Sequence, residues 1–375
     1  MDFGISRADL GVVCVVYTLV PLQGLMKILL TIAVLTMAVL PGPAQACSSF
    51  LVEANDGERF AVAKSYDWDM DQALVLTNRR GLKKQALTLD PRHQVHQWTA
   101  RYGSLTFNQY GAELPNGGIN EAGLVVEVLW LNASQYPSAD QRPVLNELQW
   151  IQWALDTQSD VAGLAKAAQE VRVMPVYAKV HYFACDAQRQ CATFEYLEGK
   201  LVVHRADGLP VAALTNHPYD ESLQFYRRRT GKKKSGSLPS GTGSLARFVR
   251  AGSAPRSKDP VRAAFDTLDS VSMGDYSVWN IVYEPQGRAV YFRTRNQSAI
   301  KVVKLAQLDF ACKGQSMMLD IQYGVGGAVD GAFAPATAAA NRKLIDSSIG
   351  GIANQLPPGI IDSLAAYPSL LRCAH

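Results

Sequence analysis

The sequence has no excess of charge of either sign. Its 37 Lys and Arg stand against 33 Asp and Glu, a formal net charge of +4. So mild a balance argues neither for nor against nucleic acid. The one basic cluster, Tyr226 to Ser244 ("YRRRTGKKKSGSLPSGTGS"), runs on into Gly and Ser and reads as a surface loop. No aromatic platform or reading helix accompanies it. The six histidines, His93, His96, His181, His204, His217 and His375, show no metal-ligand spacing. Neither a metal nor a cofactor is expected. There is no internal repeat, which sets aside solenoids and propellers. What remains, 48% hydrophobic and 19% charged residues over 375, is the composition of a globular enzyme with a large core in one or two domains.

Residues 1–46 read as a leader, with the signal peptide at 26–46. Met26-Lys27 opens a short basic region, and Met26 is expected to be the true initiator. Ile28 to Leu40, "ILLTIAVLTMAVL", has the length of a signal-peptide core and falls short of the roughly 20 residues of a spanning helix. Pro41-Gly42-Pro43 breaks the run, and Ala44-Gln45-Ala46 is the small-x-small pattern of a cleavage site. A two-span membrane anchor is the competing reading. Cleavage after Ala46 delivers the protein to the periplasm or beyond, touches the membrane only through the leader, and makes Cys47 the first residue.

Export favours disulfides. Cys14 leaves with the leader, so five cysteines remain of six. Cys185 and Cys191 flank "DAQRQ" between two strand-like runs, which suits a bridge across a hairpin. Cys312 with Cys373 would tie a C-terminal extension, residues 324–375, to the body at 47–323. That pairing leaves Cys47 as a free thiol.

Phe60 to Ala63, Ala73 to Thr77 and, around Gly123, Gly117 to Leu131 read as strands. Val144 to Leu155 and Val161 to Val171 read as helices, the second capped by Asp160. Lys179 to Ala184, Ala192 to Tyr196 and Leu201 to His204 suggest a meander, turning at Glu198-Gly199. Ser277 to Tyr283 and Ala289 to Thr294 suggest a hairpin. A short helix is expected near Ala336 to Ile345. Strands, then helices, then strands point to α+β layers.

A cysteine that opens a mature chain carries its own base. The α-amine titrates at about 7.7–8.0 and can take the thiol proton, then return it to a leaving amine. Such a site also needs a carboxylate to hold the amine, a cation near the thiolate and an oxyanion hole. "AKSYDWD" (Ala63 to Asp69) offers the carboxylate.

"CSSF" at Cys47, "AKSYDW" at Ala63, "NGGINEAGLVVEVLWLNASQYP" at Asn116, "ALTNHPYDESLQ" at Ala213, "SLARFVRA" at Ser244 and "YSVWNIVYEPQGRAVYFRT" at Tyr276 follow in order. With them the chain resembles the choloylglycine hydrolases, which include penicillin V acylases and bile salt hydrolases, most closely their exported Gram-negative branch. The resemblance implies the four-layer αββα sandwich of N-terminal nucleophile hydrolases and the hydrolysis of a linear, non-peptide amide. It implies Cys47 as nucleophile and, through its amine, as base. Asp67 would hold the amine. The Asn216 side chain and the Trp130 backbone N–H would form the oxyanion hole, with Arg247 as the supporting cation. A small acyl amide is the implied partner, and homotetramers occur in the family.

One position departs from that pattern. Lys64 stands where the family carries arginine, which keeps the charge and loses the planar fork. Trp130, where bile salt enzymes carry a polar residue, favours an aryl or fatty acyl group over a steroid. Two other readings compete. Cys47 as a lipid-modified cysteine would make an envelope binding protein with an inactive hydrolase fold. Cys47 in a disulfide would make an exported structural protein.

Overall fold

The structure, a computed structural model, describes residues 46–374 apart from 89, 91, 232–236, 352–355 and 357. The expected leader and its cleavage motif, up to residue 45, lie outside the described residues. From Ala46 the chain enters β1 (Ala46–Glu53), turns at Gly57 with φ +74°, and returns as β2 (Phe60–Asp67). Then come β3 (Leu74–Asn78), β4 (Leu82–Gln85), β5 (Gln97–Thr99), β6 (Ser104–Asn108), β7 (Gly117–Asn120) and β8 (Val125–Trp130). β9 (Val144–Leu145), α1 (Gln149–Thr157), α2 (Val161–Ala167) and β10 (Arg172–Val173) lead to the meander β11 (Val180–Cys185), β12 (Cys191–Leu197) and β13 (Lys200–Arg205). β14 (Ala213–Leu214) precedes α3 (Tyr219–Thr230), α4 (Ser244–Gly252) and α5 (Pro260–Ser270). β15 (Ser277–Glu284), β16 (Ala289–Thr294), β17 (Lys301–Lys304) and β18 (Met317–Asp320) complete the body. The extension adds β19 (Gly327–Ala328), β20 (Ala334–Pro335), α6 (Ala338–Ile349), α7 (Ile360–Leu370) and β21 (Arg372–Cys373).

Two large sheets result. One runs β14-β1-β2-β15-β16-β17-β19, the other β13-β12-β11-β8-β7-β6-β3-β18-β20. β1 faces β8 across the gap between them, α4 and α5 cover the outer face of the first sheet, and α1 covers that of the second. This is the expected αββα stack. β2 is central and covered on both faces, so every residue of it is buried, including Lys64 and Asp67. A strand enclosed on both sides has no solvated face to carry charge, and each charged side chain on it needs a partner.

The strand and hairpin expectations hold: β7 and β8 flank Gly123, and the meander and the β15–β16 hairpin sit where read. Asp160 caps α2, its carboxylate accepting from the Gly163 amide at 2.8 Å. Both disulfides form, Cys185–Cys191 and Cys312–Cys373, leaving Cys47 as the free cysteine among the described residues.

Three readings need correction. Val144-Leu145 is extended, not helical, because it pairs in parallel with Arg172-Val173. The helix starts only after Asn146, whose Oδ1 accepts from the Leu148 and Gln149 amides. Tyr226 to Thr230 is the last turn of α3, not loop. Asp220 and Glu221 at its start and Arg227, Arg228 and Arg229 at its end complement the helix dipole. The extension holds two helices where one was read, and they dock on the body. Gly111, at φ +112°, leaves so little room that a Cβ there would lie 2.8 Å from the Ile345 side chain of α6.

Candidate active site

β1 and β2 pair with Cys47 opposite Tyr66, Ala46 opposite Asp67 and Ser49 opposite Lys64. Side chains directly opposed in an antiparallel pair lie on one face, and successive residues alternate. Cys47, Tyr66 and Lys64 therefore face the second sheet, while Ser48, Ser65 and Asp67 face the helices. Both groups meet at the start of β1.

On the helix side, Arg247 of α4 is 1% exposed and reaches into the start of β1. Its Nη1 donates to the Cys47 carbonyl at 2.6 Å and to Ser48 Oγ at 2.7 Å, and its Nη2 to Asn216 Oδ1 at 2.6 Å. The same Oδ1 accepts from the Cys47 amide at 2.9 Å. With two donors on Oδ1, the Asn216 side chain has one orientation: its Nδ2 must face the other way. It donates to the Trp130 carbonyl at 2.8 Å.

Leu131 N–H bonds the Lys179 carbonyl, so the alternation of an antiparallel ladder turns both the N–H and the C=O of Trp130 away from β11. They point past the end of β7, where Asn216 lies. Nδ2 carries a second hydrogen besides the one spent on Trp130.

Asp67 is fully buried. Its Oδ1 accepts from Ser65 Oγ and Ser277 Oγ, both at 2.6 Å. Its Oδ2 has no hydrogen-bond partner among the described residues, and the Arg247 Nη1 cation is 3.9 Å away. Burial raises the Asp67 carboxyl above its ordinary value, and Arg247 and the two serines only partly oppose this. Burial likewise pushes the Cys47 thiol up, and the Asp67 carboxylate adds to the rise. Lys64, the Asp67 amide and Arg247 pull it down.

Lys64 does not stand beside the thiol as a free cation. Between the sheets its Nζ lies 3.5 Å from Glu127 Oε2 and donates to the Val128 carbonyl of β8. Glu127 also accepts from the Tyr283 hydroxyl. It occupies the space a Cβ at Gly117 would take, 2.3 Å from Oε2. Burial lifts the Glu127 carboxyl to about 7 against the pull of Lys64 and Tyr283.

Thus Cys47, Asp67, Asn216, Trp130 and Arg247 form one connected cluster, and Lys64 lies two residues further along the same β1–β2 pair, turned to Glu127. Sequence reasoning missed the supporting groups. Ser65 was findable, since it sits two residues before Asp67 on the same strand face. His181 and Glu195 were not. His181 Nε2 lies 2.6 Å from the Thr215 carbonyl, beside Asn216, and its Nδ1 is 2.9 Å from Glu195. Burial would raise the Glu195 carboxyl, yet the bonds from His181, His204 and the Tyr219 amide hold it at about 2.

Cys47 opens onto a cavity of about 1080 Å³, its mouth included. Tyr66, Trp68, Tyr110, Trp130 and Tyr177 line it with Leu129, Leu148 and Val176. Of its polar neighbours, the Trp68 indole N–H has no hydrogen-bond partner among the described residues, while Glu147 and Asn116 are occupied. The Glu147 carboxylate accepts from the Val176, Tyr177 and Ala178 amides. Asn116 donates to the Tyr66 hydroxyl and accepts from the Gln109 amide. Among the described residues no group of His, Cys, Asp and Glu is disposed to hold a metal ion.

The family described as linear amide C–N hydrolases, choloylglycine hydrolase family, matches residues 47–318. The penicillin V acylase of Pectobacterium atrosepticum is 26% identical over 269 residues, 59% of this chain and 70% of that protein. The structure of penicillin V acylase from Agrobacterium tumefaciens superposes with a TM-score of 0.68 at 25% identity, covering 78% of this chain and 98% of the other. A variant of conjugated bile acid hydrolase from Clostridium perfringens gives 0.62 at 16% identity, over 73% and 96%.

Proposed function

The chain belongs to the choloylglycine hydrolase family and is an amide C–N hydrolase, and from that footing we propose that it is an exported acylase whose nucleophile is Cys47, freed as the first residue by cleavage after Ala46. The observation that carries this reading is the buried Oδ2 of Asp67, unpartnered among the described residues and directly across the ladder from the residue to be removed. A buried carboxylate without a full partner is costly. An α-ammonium created at Cys47 is the charge it lacks.

In the proposed reaction the amine takes the thiol proton and sulfur attacks the acyl carbon. The second hydrogen of Asn216 Nδ2 and the Trp130 N–H receive the oxyanion. Arg247 holds Asn216 in the required orientation through Oδ1. The C–N bond then breaks, and the departing nitrogen takes the proton from the α-ammonium. Water, deprotonated by the same amine, attacks the thioester, and the carboxylic acid leaves as the thiol is restored. Nothing in these steps calls for a metal or cofactor.

The relatives at 25–26% identity are penicillin V acylases, while the bile acid hydrolase likeness supports the fold alone. A cavity lined mainly by apolar and aromatic side chains favours an aryl or fatty acyl group on a small amine, as in penicillin V or an N-acyl homoserine lactone. A hydroxylated steroid would leave its own polar groups unpaired there.

Two measurements test the reading. The intact mass of protein purified from the periplasm should start at an unmodified Cys47; a diacylglyceryl adduct or any other start ends it. Chromatographic assay of penicillin V, glycocholate and a long-chain acyl homoserine lactone should show turnover of the first or third well above the second. Equal turnover of glycocholate would overturn the acyl preference.

A further inference from the structure

We infer that the C-terminal pair α6 and α7 is one wall of the acyl cavity and sets the bulk of acyl group admitted, a proposal that rests on the acylase reading above. The family match ends at residue 318, before this pair begins. Yet Ile349 at the end of α6, and Ile360 and Leu364 on α7, line the cavity together with Cys47. Side chains from outside the shared catalytic domain therefore close part of its substrate space.

The wall is built to stay in place. Ser348 Oγ donates to the Gln109 carbonyl at 2.5 Å, and Asn341 Oδ1 accepts from the Ala112 amide at 2.8 Å. Between these anchor points lies Tyr110, another lining residue. The Tyr367 hydroxyl of α7 donates to the Gln85 carbonyl at 2.7 Å. β21 pairs with β4, and Cys312–Cys373 closes the chain end onto the body. Side chains so fixed cannot yield to a larger ligand without breaking several contacts, so their volume counts against the ligand's.

The apolar character of these three residues defines the acyl group as well. They offer no donor or acceptor, so each methylene of a linear chain laid against them gains burial, and each hydroxyl loses a partner. One methylene more or less in such a pocket is worth about 10–200-fold in rate. A wall side chain enlarged by several atoms therefore costs at least tenfold for chains that reach it.

The test compares wild type with Leu364→Trp and Leu364→Ala. The substrates are N-acyl amides of one amine, from butanoyl to tetradecanoyl, and thermal melts control for folding. Leu364→Trp should lower the ratio of long-chain to short-chain kcat/KM at least tenfold, and Leu364→Ala should move the optimum to longer chains. Unchanged ratios in both variants overturn the wall. If Leu364→Trp does not fold, the Leu364→Ala optimum decides alone. If wild type cleaves none of the amides, the acylase reading fails and the wall is judged separately by calorimetry with decanoic acid. At least tenfold weaker binding to Leu364→Trp supports the wall, and equal affinity removes it.

Discussion

Lys64 and Glu127 meet between the two sheets, Nζ 3.5 Å from Oε2, with side chains only 1% and 2% exposed. The carboxyl keeps its proton to about 7 in the fold, against an ordinary 4.5. The folded chain therefore binds more protons than the unfolded one in that interval. The group's contribution to stability is fully present below about pH 4.5 and is lost as pH rises through about 7. A tenfold gain in proton affinity on folding corresponds to about 1.4 kcal/mol. Urea unfolding across this range should show a steeper decline for wild type than for Glu127→Gln. Matching slopes would mean that Glu127 does not titrate there.

Removing the cation has a pH signature of its own. Lys64→Met strips Glu127 of its partner, and breaking a buried pair costs about 3–5 kcal/mol. Lys64 pulls the Glu127 carboxyl down, so its loss lets the carboxyl rise further and stay protonated. Destabilisation should be largest above about pH 8 and shrink below about pH 6. A penalty independent of pH would rule out the pairing as its source.

Asn216→Ala removes a proposed oxyanion donor, for which kcat falls roughly 100–1,000-fold. Arg247→Lys leaves a single ammonium to serve Cys47, Ser48 and Asn216. It should lower kcat with KM little changed, because it loosens the orientation of Asn216 and touches no acyl group. A change confined to KM would place Arg247 in substrate binding instead.

Cys47→Ser should abolish turnover by roughly a thousandfold or more, by analogy with nucleophile removal in other hydrolases, while the melting temperature stays near wild type. Retained turnover would mean that another residue attacks.

The bridge Cys312–Cys373 spans 61 residues of sequence, for which loop entropy gives about 4 kcal/mol as a ceiling. Replacing both cysteines with Ser should lower stability by up to that amount. The loss should disappear when the wild type is measured under strong reductant. A difference that persists after reduction would point to packing.

The legible part of this protein was its strands and the set of side chains that gather at the start of β1. "AKSYDW" put Asp67 on a strand beside the one that Cys47 opens, whereas Asn216 in "LTN" was singled out only by the resemblance, since by itself the run before His217-Pro218 reads as a turn. Distant charge pairings were not legible. Nothing near Lys64 in sequence shows that it turns to Glu127, far along the chain, and that contact exists only because two sheets stack. Val144-Leu145 misled because an apolar run suits strand and helix equally, and the deciding partner, Arg172-Val173, lies beyond any local window. The small-residue tail hid α7 because Pro368 lies within that helix and Gly359 opens it at φ +80°.

At Gly111 the body and the extension lie closer than one methyl group permits. The φ of +112° already disfavours any other residue. A substitution there would act as a wedge, prising α6 from its seat and drawing Ile349 out of the cavity wall, while the hydrogen bonds that join Cys47, Arg247 and Asn216 lie on the other sheet. A protease that cut the loosened α6 would leave a C-terminal fragment still tied to the body by the Cys312–Cys373 bridge and the β21–β4 pairing.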